Sequence, residues 1–132
     1  MIFTAFYQTI FEGQAWTFKD LEDYSNRVAN YFLRAGYKPG QCIALFMENR
    51  PEYVGLWLGC SKIGLVPALI NSNLAGQSLL HSINAACARG MIFGREYFKN
   101  TRYLAFLASV TQNTWPSAIL VLALVTPVQA DF

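Results

Sequence analysis

Residues 42–94 hold three short apolar runs separated by two stretches of helical periodicity, and this alternation constrains the fold more than any other feature of the chain. Ile43-Ala44-Leu45-Phe46-Met47 is apolar throughout and bounded by turn residues. A strand apolar on both faces is one covered on both faces, the usual condition inside a parallel sheet. Leu65-Val66-Pro67-Ala68-Leu69-Ile70 reads as a second strand and Gly90-Met91-Ile92-Phe93-Gly94 as a third. Strands alternating with helices of this length call for parallel pairing and right-handed crossovers. The expected class is α/β: a β-hairpin, then a helix, then a βαβαβ parallel half-sheet. Strands are predicted near 42–47, 66–70 and 90–93, and helices near 18–35, 51–63 and 75–87. Pro67 carries no N–H, so it fits only near the start of its strand or at a sheet edge.

The first helix is the best marked. Residues 6–11 alternate loosely, and Glu12-Gly13-Gln14 followed by Ala15-Trp16 suggests a hairpin. Thr17 stands three residues before Asp20, the spacing of a capping box. Leu21, Tyr24, Val28, Phe32 and, one step around, Leu33 recur at helical spacing. Glu22, Asp23, Asn26, Arg27, Asn30 and Arg34 take the wet side. Gly36 is placed to end the helix in a left-handed conformation, and Pro39-Gly40 turns the chain out.

Asn49 is the expected cap of the second helix, with Pro51 in its first turn and Glu52 three residues after the cap. Val54, Leu56, Trp57, Leu58 and Ile63 make this helix apolar nearly all round, which predicts a buried helix. Gly55 and Gly59, four apart, predict close approach to a neighbouring element. Asn71-Ser72-Asn73 reads as a turn and candidate cap, and Leu79, Leu80, Ile83 and Cys87 as the stripe of a third helix.

Composition narrows the function classes. The chain is 54% hydrophobic and 14% charged, against ~45–50% and ~25% for ordinary soluble domains. This implies membrane association or a surface that normally meets other structure. A net charge of +2 with no Lys/Arg run argues against nucleic acid. Cys42, Cys60 and Cys87 are widely spaced and His81 is near no cysteine pair, so half-buried thiols in a reducing compartment are expected rather than a metal site. No Asn-x-Ser/Thr acceptor occurs, and the N-terminus lacks the basic region of a signal peptide.

From Tyr103 to Phe132 the single charge is Asp131. Apolar runs at 103–110 and 118–125 flank Thr111-Gln112-Asn113-Thr114-Trp115-Pro116-Ser117. Neither approaches the ~18 consecutive apolar residues of a membrane-crossing helix, and joined they would place polar side chains and Pro116 at mid-depth. The segment reads as interface-seeking, and no stable packing of 103–132 onto the α/β unit is expected.

The chemical motifs are few. Gly59-Cys60-Ser61-Lys62-Ile63-Gly64 has the glycine spacing of a phosphate loop but continues into Leu65-Val66 and lies at a helix end, so it reads as a helix stop. His81, near Ser78, Ser82 and Asn84, has no spacing that builds a nucleophile pair. Glu48 follows a strand on its carboxyl side, where open α/β sheets place ligands, although a capping or packing role beside Asn49 and Arg50 suits it as well.

Residues from about 11 to 94 closely resemble the fatty-acid transport proteins, also called very-long-chain acyl-CoA synthetases. The agreement runs through Trp16-Thr17-Phe18, Tyr24-Ser25-Asn26-Arg27-Val28-Ala29, Gly36-Tyr37-Lys38-Pro39-Gly40 and Ala44-Leu45-Phe46-Met47-Glu48-Asn49-Arg50-Pro51-Glu52. It continues in Leu56-Trp57-Leu58-Gly59, Lys62-Ile63-Gly64, Ala68-Leu69-Ile70-Asn71-Ser72-Asn73-Leu74 and Ser78-Leu79-Leu80-His81-Ser82-Ile83-Asn84. The resemblance implies part of the N-terminal domain of an adenylate-forming enzyme over 1–100, followed at 101–132 by an apolar tail that departs from the family.

It also implies a full-length enzyme that adenylates a long-chain fatty acid with ATP and Mg²⁺ and passes the acyl group to CoA. Such an enzyme would act in fatty-acid uptake at the endoplasmic reticulum or plasma membrane, with a cytosolic-facing domain. The family's Thr-Ser-Gly-Thr-Thr-Gly type loop, its later adenine-binding motif and its lysine-bearing motif are absent from these residues. No catalytic, cofactor-binding or metal residue carries over, no cofactor is expected in this segment, and the chain is expected to be inactive alone. The departure after Gly94 implies a truncated or alternatively spliced product, or a gene model read into non-coding sequence. A non-catalytic membrane-associated or interaction protein keeping the fold is the alternative; an independent small-molecule-binding domain is a third, with no ligand-shaped motif behind it.

Overall fold

The computed structural model describes residues 7–11, 13–94 and 121–124, with backbone alone at 7–11, Gln14 and 121–124. These residues fall into two compact units, one containing 7–40 and 49–65, the other 41–48, 66–94 and 121–124.

The first unit begins with an antiparallel hairpin of β1 (Tyr7–Phe11) and β2 (Gln14–Thr17), in which Phe11 faces Gln14. Helix α1 (Phe18–Arg34) starts at the expected capping box. The Asp20 N–H donates to Thr17 Oγ1 at 3.1 Å, and the Thr17 N–H donates to Asp20 Oδ2 at 2.8 Å. The reciprocal pair satisfies amides that a helix start otherwise leaves open. The helix ends as Gly36 implied. Gly36 has φ +85° and donates to the Leu33 carbonyl at 3.1 Å, while Tyr37 donates to the Phe32 carbonyl at 3.1 Å. The Tyr37 ring then packs edge-on against Phe32, centroids 5.2 Å apart, which closes the hydrophobic contact that accompanies this type of helix stop.

Leu21, Tyr24, Val28 and Phe32 are buried and the named polar residues are exposed, as the periodicity predicted. Leu33 is not part of the stripe: it is 53% exposed. The stripe instead widens on its other side through Ser25 and Ala29, both buried. Small residues there suit the close approach of α2 (Pro51–Lys62).

Two expectations for α2 are corrected. Its N-cap is Arg50, with φ −156° and ψ 166° and no side-chain cap bond, rather than Asn49. Proline forces the residue before it into extended backbone, and the cap position requires that same conformation, so Pro51 at the first helical position makes Arg50 the cap. Nor is the helix buried all round. Pro51, Glu52, Gly55, Leu56, Gly59 and Cys60 form the buried face, while Trp57 and Leu58 remain 44% and 39% exposed. The two glycines select the face. A Cβ at Gly55 would fall on the Tyr24 ring, and one at Gly59 would lie 2.6 Å from Val28 Cβ. Lys62 Nζ ties the C-terminal end of α2 to the first half of α1, reaching Glu22 Oε2 at 2.9 Å and Asn26 Oδ1 at 2.7 Å.

The second unit is a sheet of β3 (Cys42–Phe46), β4 (Val66–Ile70), β5 (Gly90–Gly94) and β6 (Val121–Leu124) in the order β4-β3-β5-β6, every pairing parallel. The expected strands and their parallel pairing are therefore present. The central strands β3 and β5 are buried apart from half-buried Cys42, as continuous apolar runs require. Strand β4 is an edge with Val66 and Leu69 exposed. The Val66 N–H donates inward to the Gln41 carbonyl at 2.9 Å, so by strand alternation Pro67 turns its missing N–H outward, where no ladder amide is needed.

The expectation that 103–132 would not pack is overturned at Val121–Leu124, which pairs along β5 from Met91↔Val121 to Gly94↔Leu124. A short Val/Leu-rich run has the β propensity to satisfy the open ladder groups of β5. Helix α3 (Gly76–Ala85) lays Leu79 and Ile83 against Ala44, Phe46, Ile70, Ala88, Met91 and Phe93 to form the core of this unit.

Candidate functional site

In an open parallel sheet, ligands bind beyond the carboxyl ends of the strands, where the strand order reverses. Here β3 connects in sequence to β4 on one side, and the next strand, β5, lies on the other side of β3. The reversal therefore falls between the carboxyl ends of β3 and β5. Met47 is buried just past β3, and Glu48, the next residue, is exposed at that end. The sequence reading singled out Glu48 for this position, and the structure puts it there.

At the carboxyl end of β4 the chain turns. The Asn73 N–H donates to Asn71 Oδ1 at 2.9 Å, and the Leu74 N–H donates to the Asn71 carbonyl at 3.1 Å. That local turn uses the Asn71 side chain, so it does not cap α3. Ala75 holds the cap position, with no side-chain bond. His81 is exposed on α3, and the Ser82 hydroxyl beside it donates back to the Ser78 carbonyl at 3.0 Å. Nothing here assembles a base with a nucleophile. Among the described residues, no group of three or more His, Cys, Asp or Glu is placed to hold a metal ion, and no helix is long and apolar enough to cross a membrane.

The first unit contains the group that sequence reasoning missed. Glu52, 7% exposed, lies on the glycine-bearing face of α2, in the first turn. Partial positive charge from the helix start favours a carboxylate at that position. Burial first, and then the negative charge of Glu52, raise the Tyr24 hydroxyl above the usual phenol range, with Arg27 and Arg50 opposing. Tyr24 also packs edge-on against Trp16, centroids 5.4 Å apart, and carries the Arg27 guanidinium carbon 5.7 Å from its ring centre. Such a cluster fixes the α1–α2 pair. The signal was the spacing of Glu52 from Gly55, Leu56 and Gly59, one helical face, which a reading as a cap residue obscured.

Cysteine burial is graded rather than uniform. Cys60 is buried, Cys42 half-buried and Cys87 exposed. Burial pushes the Cys60 thiol up to about 12. The Gly59-to-Gly64 segment is the end of α2, with Gly64 at φ +76°, as a helix stop requires.

Comparison with known proteins places this geometry. Over 84 residues, 64% of this chain and 13% of the relative, it is 49% identical to long-chain fatty acid transport protein 1 of Rattus norvegicus. The N-terminal subdomain of Klebsiella oxytoca NpsA, solved with anthranilyl-AMSN, superposes with TM-score 0.61 at 27% identity over 64% of this chain and 22% of that one. Bacillus subtilis o-succinylbenzoate coenzyme A synthetase, solved with ATP and magnesium, does so with TM-score 0.61 at 25% identity over 64% of this chain and 23% of that one. The fold is that of the N-terminal part of adenylate-forming enzymes, and the chain spans about an eighth of the curated relative. A profile of the AMP-binding enzyme family matches residues 3–129, so with this sheet order and these relatives the chain belongs to the AMP-binding enzyme family.

Proposed function

We propose that these residues are the N-terminal scaffold of a long-chain fatty-acid–CoA ligase of the transport-protein type. The full-length enzyme would adenylate a fatty acid with ATP and Mg²⁺, then form the thioester with CoA, in lipid uptake at the endoplasmic reticulum or plasma membrane. The observation that carries this reading is the 49% identity to a fatty acid transport protein over 84 residues.

Within such an enzyme, residues 1–100 would supply part of the N-terminal domain. Adenylation needs donors and cations fixed around the phosphates while pyrophosphate leaves. This chain has no Gly/Ser/Thr-rich phosphate loop and no lysine placed for that task. Alone, then, it is inactive.

Two measurements test the reading. The purified chain should give no fatty-acid-dependent ATP–pyrophosphate exchange above background. Residues 11–94, grafted in place of the matching segment of the rat relative, should keep fatty-acid–CoA ligase activity. Loss of activity in a graft that folds, or exchange by the chain alone, would sink it. The second reading, a non-catalytic protein that docks on membranes, draws on the exposure of Phe18, Leu33, Trp57 and Leu58. Flotation of the inactive chain with phospholipid vesicles would favour it.

A further inference from the structure

Cys42 opens β3, and alternation along the strand sets it on the same sheet face as Ala44 and Phe46. There it packs against the core cluster that contains Leu79, Ile83 and Ala88. Cys87 lies in the turn leaving α3, one residue before Ala88. Two residues further, the Arg89 N–H donates to the Cys42 carbonyl at 2.7 Å, and Ile43 faces Gly90 in register. The backbone thus holds the Cys87-to-Arg89 turn against the start of β3, where neighbouring strands run about 4.8 Å apart. Burial raises the Cys42 pKa, a hydrogen bond with the Ala68 backbone lowers it, and the charge of Cys87 raises it further.

We propose that Cys42 and Cys87 are a hydroperoxide-oxidisable thiol pair that closes to a disulfide, stapling the C-terminal end of α3 to the start of β3. Cys87 is the exposed member and reacts first. Its thiolate attacks a peroxide oxygen, the O–O bond breaks, and water leaves after protonation, giving a sulfenic acid. The Cys42 thiolate then attacks the Cys87 sulfur and displaces hydroxide, which leaves as water. Overall, two thiols and one hydrogen peroxide give one disulfide and two waters; the sulfurs lose two electrons and the peroxide gains them. Cys60, buried in the other unit, takes no part.

The test uses the full chain and hydrogen peroxide, and does not depend on ligase activity. Intact mass should fall by about 2 Da, and peptide mapping should show a Cys42–Cys87 link that dithiothreitol reverses. In Cys42→Ser the Cys87 sulfenic acid should persist and be trapped by dimedone; in Cys87→Ser neither link nor adduct should form. Unfolding in urea controls for variants that fail to fold, because selective pairing must be a property of the native chain. If wild-type protein oxidises at Cys87 without linking to Cys42, links through Cys60, or pairs no more selectively in native buffer than in urea, the proposal is overturned.

Discussion

Gly59 meets Val28 with no space between the two helices: a methyl group at Gly59 would lie 2.6 Å from Val28 Cβ and 2.7 Å from the Ser25 carbonyl oxygen. Alanine at an exposed helical glycine normally stabilises by ~1 kcal/mol. Here the atoms in the way are a β-branched carbon and backbone, neither able to swing aside, so an overpacking cost of ~1–3 kcal/mol wins. Gly59→Ala should lower the urea midpoint, and Val28→Ala in the same chain should not restore it, because Cβ at 28 and the Ser25 carbonyl remain in the way. A Gly59→Ala chain as stable as the parent would show that the helices can slide apart.

Cys87 has φ +50°, in left-handed territory that costs a side-chain-bearing residue ~1–2 kcal/mol. It occupies the position after α3 that Gly36 holds after α1: its N–H reaches the Asn84 carbonyl at 3.0 Å and the Ala88 N–H reaches the Ile83 carbonyl at 3.5 Å. Cys87→Gly should therefore raise stability by up to ~1 kcal/mol, and Cys87→Val should reduce it, since β-branched residues fit this region worst. Thermal melts of the two variants read both signs.

The Thr17 N–H first, and its hydroxyl second, hold the Asp20 carboxyl below the usual range. A group whose folded pKa lies below its unfolded one stabilises above the unfolded value and loses that contribution as pH falls through the folded value. Asp20→Asn should thus differ from the parent at neutral pH and converge with it below about pH 4. Thr17→Ala should cost ~1 kcal/mol at neutral pH. Denaturation midpoints across that window measure both; a difference that grows towards acid would contradict the assignment.

Pro67 denies the outer edge of β4 an amide donor, while Val66 and Leu69 leave apolar surface nearby. Restoring the donor with Pro67→Thr should make the edge self-adhesive. Size-exclusion chromatography should show more association for this variant than for the parent at equal concentration. Equal elution would mean that the edge is protected by something other than its proline.

Much of this architecture was legible because single residues carried unambiguous instructions. The apolar run from Ile43 to Met47 admits few alternatives to a covered strand, and Thr17, Asp20 and Gly36 mark both ends of α1. What was hidden depended on partners distant in sequence. Leu33 and Phe32 are equally apolar neighbours, yet Phe32 is buried and Leu33 exposed, a choice made by tertiary packing. Gly55 and Gly59 marked the face of α2 that approaches a neighbour, but its all-round apolar surface concealed that Trp57 and Leu58 stay exposed. Strand β6 was missed because its pairing with β5 spans a long stretch of sequence without a local signal. Glu48 was placed correctly because strand ends are local; Glu52 was not, because burial of a carboxylate is a tertiary property.

The two compact units are interlaced along the chain, which changes unit at Gly40–Gln41, Glu48–Asn49 and Leu65–Val66. Neither unit is encoded by one continuous stretch, so neither can be cut out free of residues that belong to the other. A nick in the 36–40 turn would separate α1 from α2 within the first unit, and one at 71–75 would separate β3 and β4 from α3 and β5 within the second. A deletion anywhere from 41 to 65 therefore cuts into one unit inside the sequence span of the other, and exchange of parts with relatives should use junctions outside 18–94.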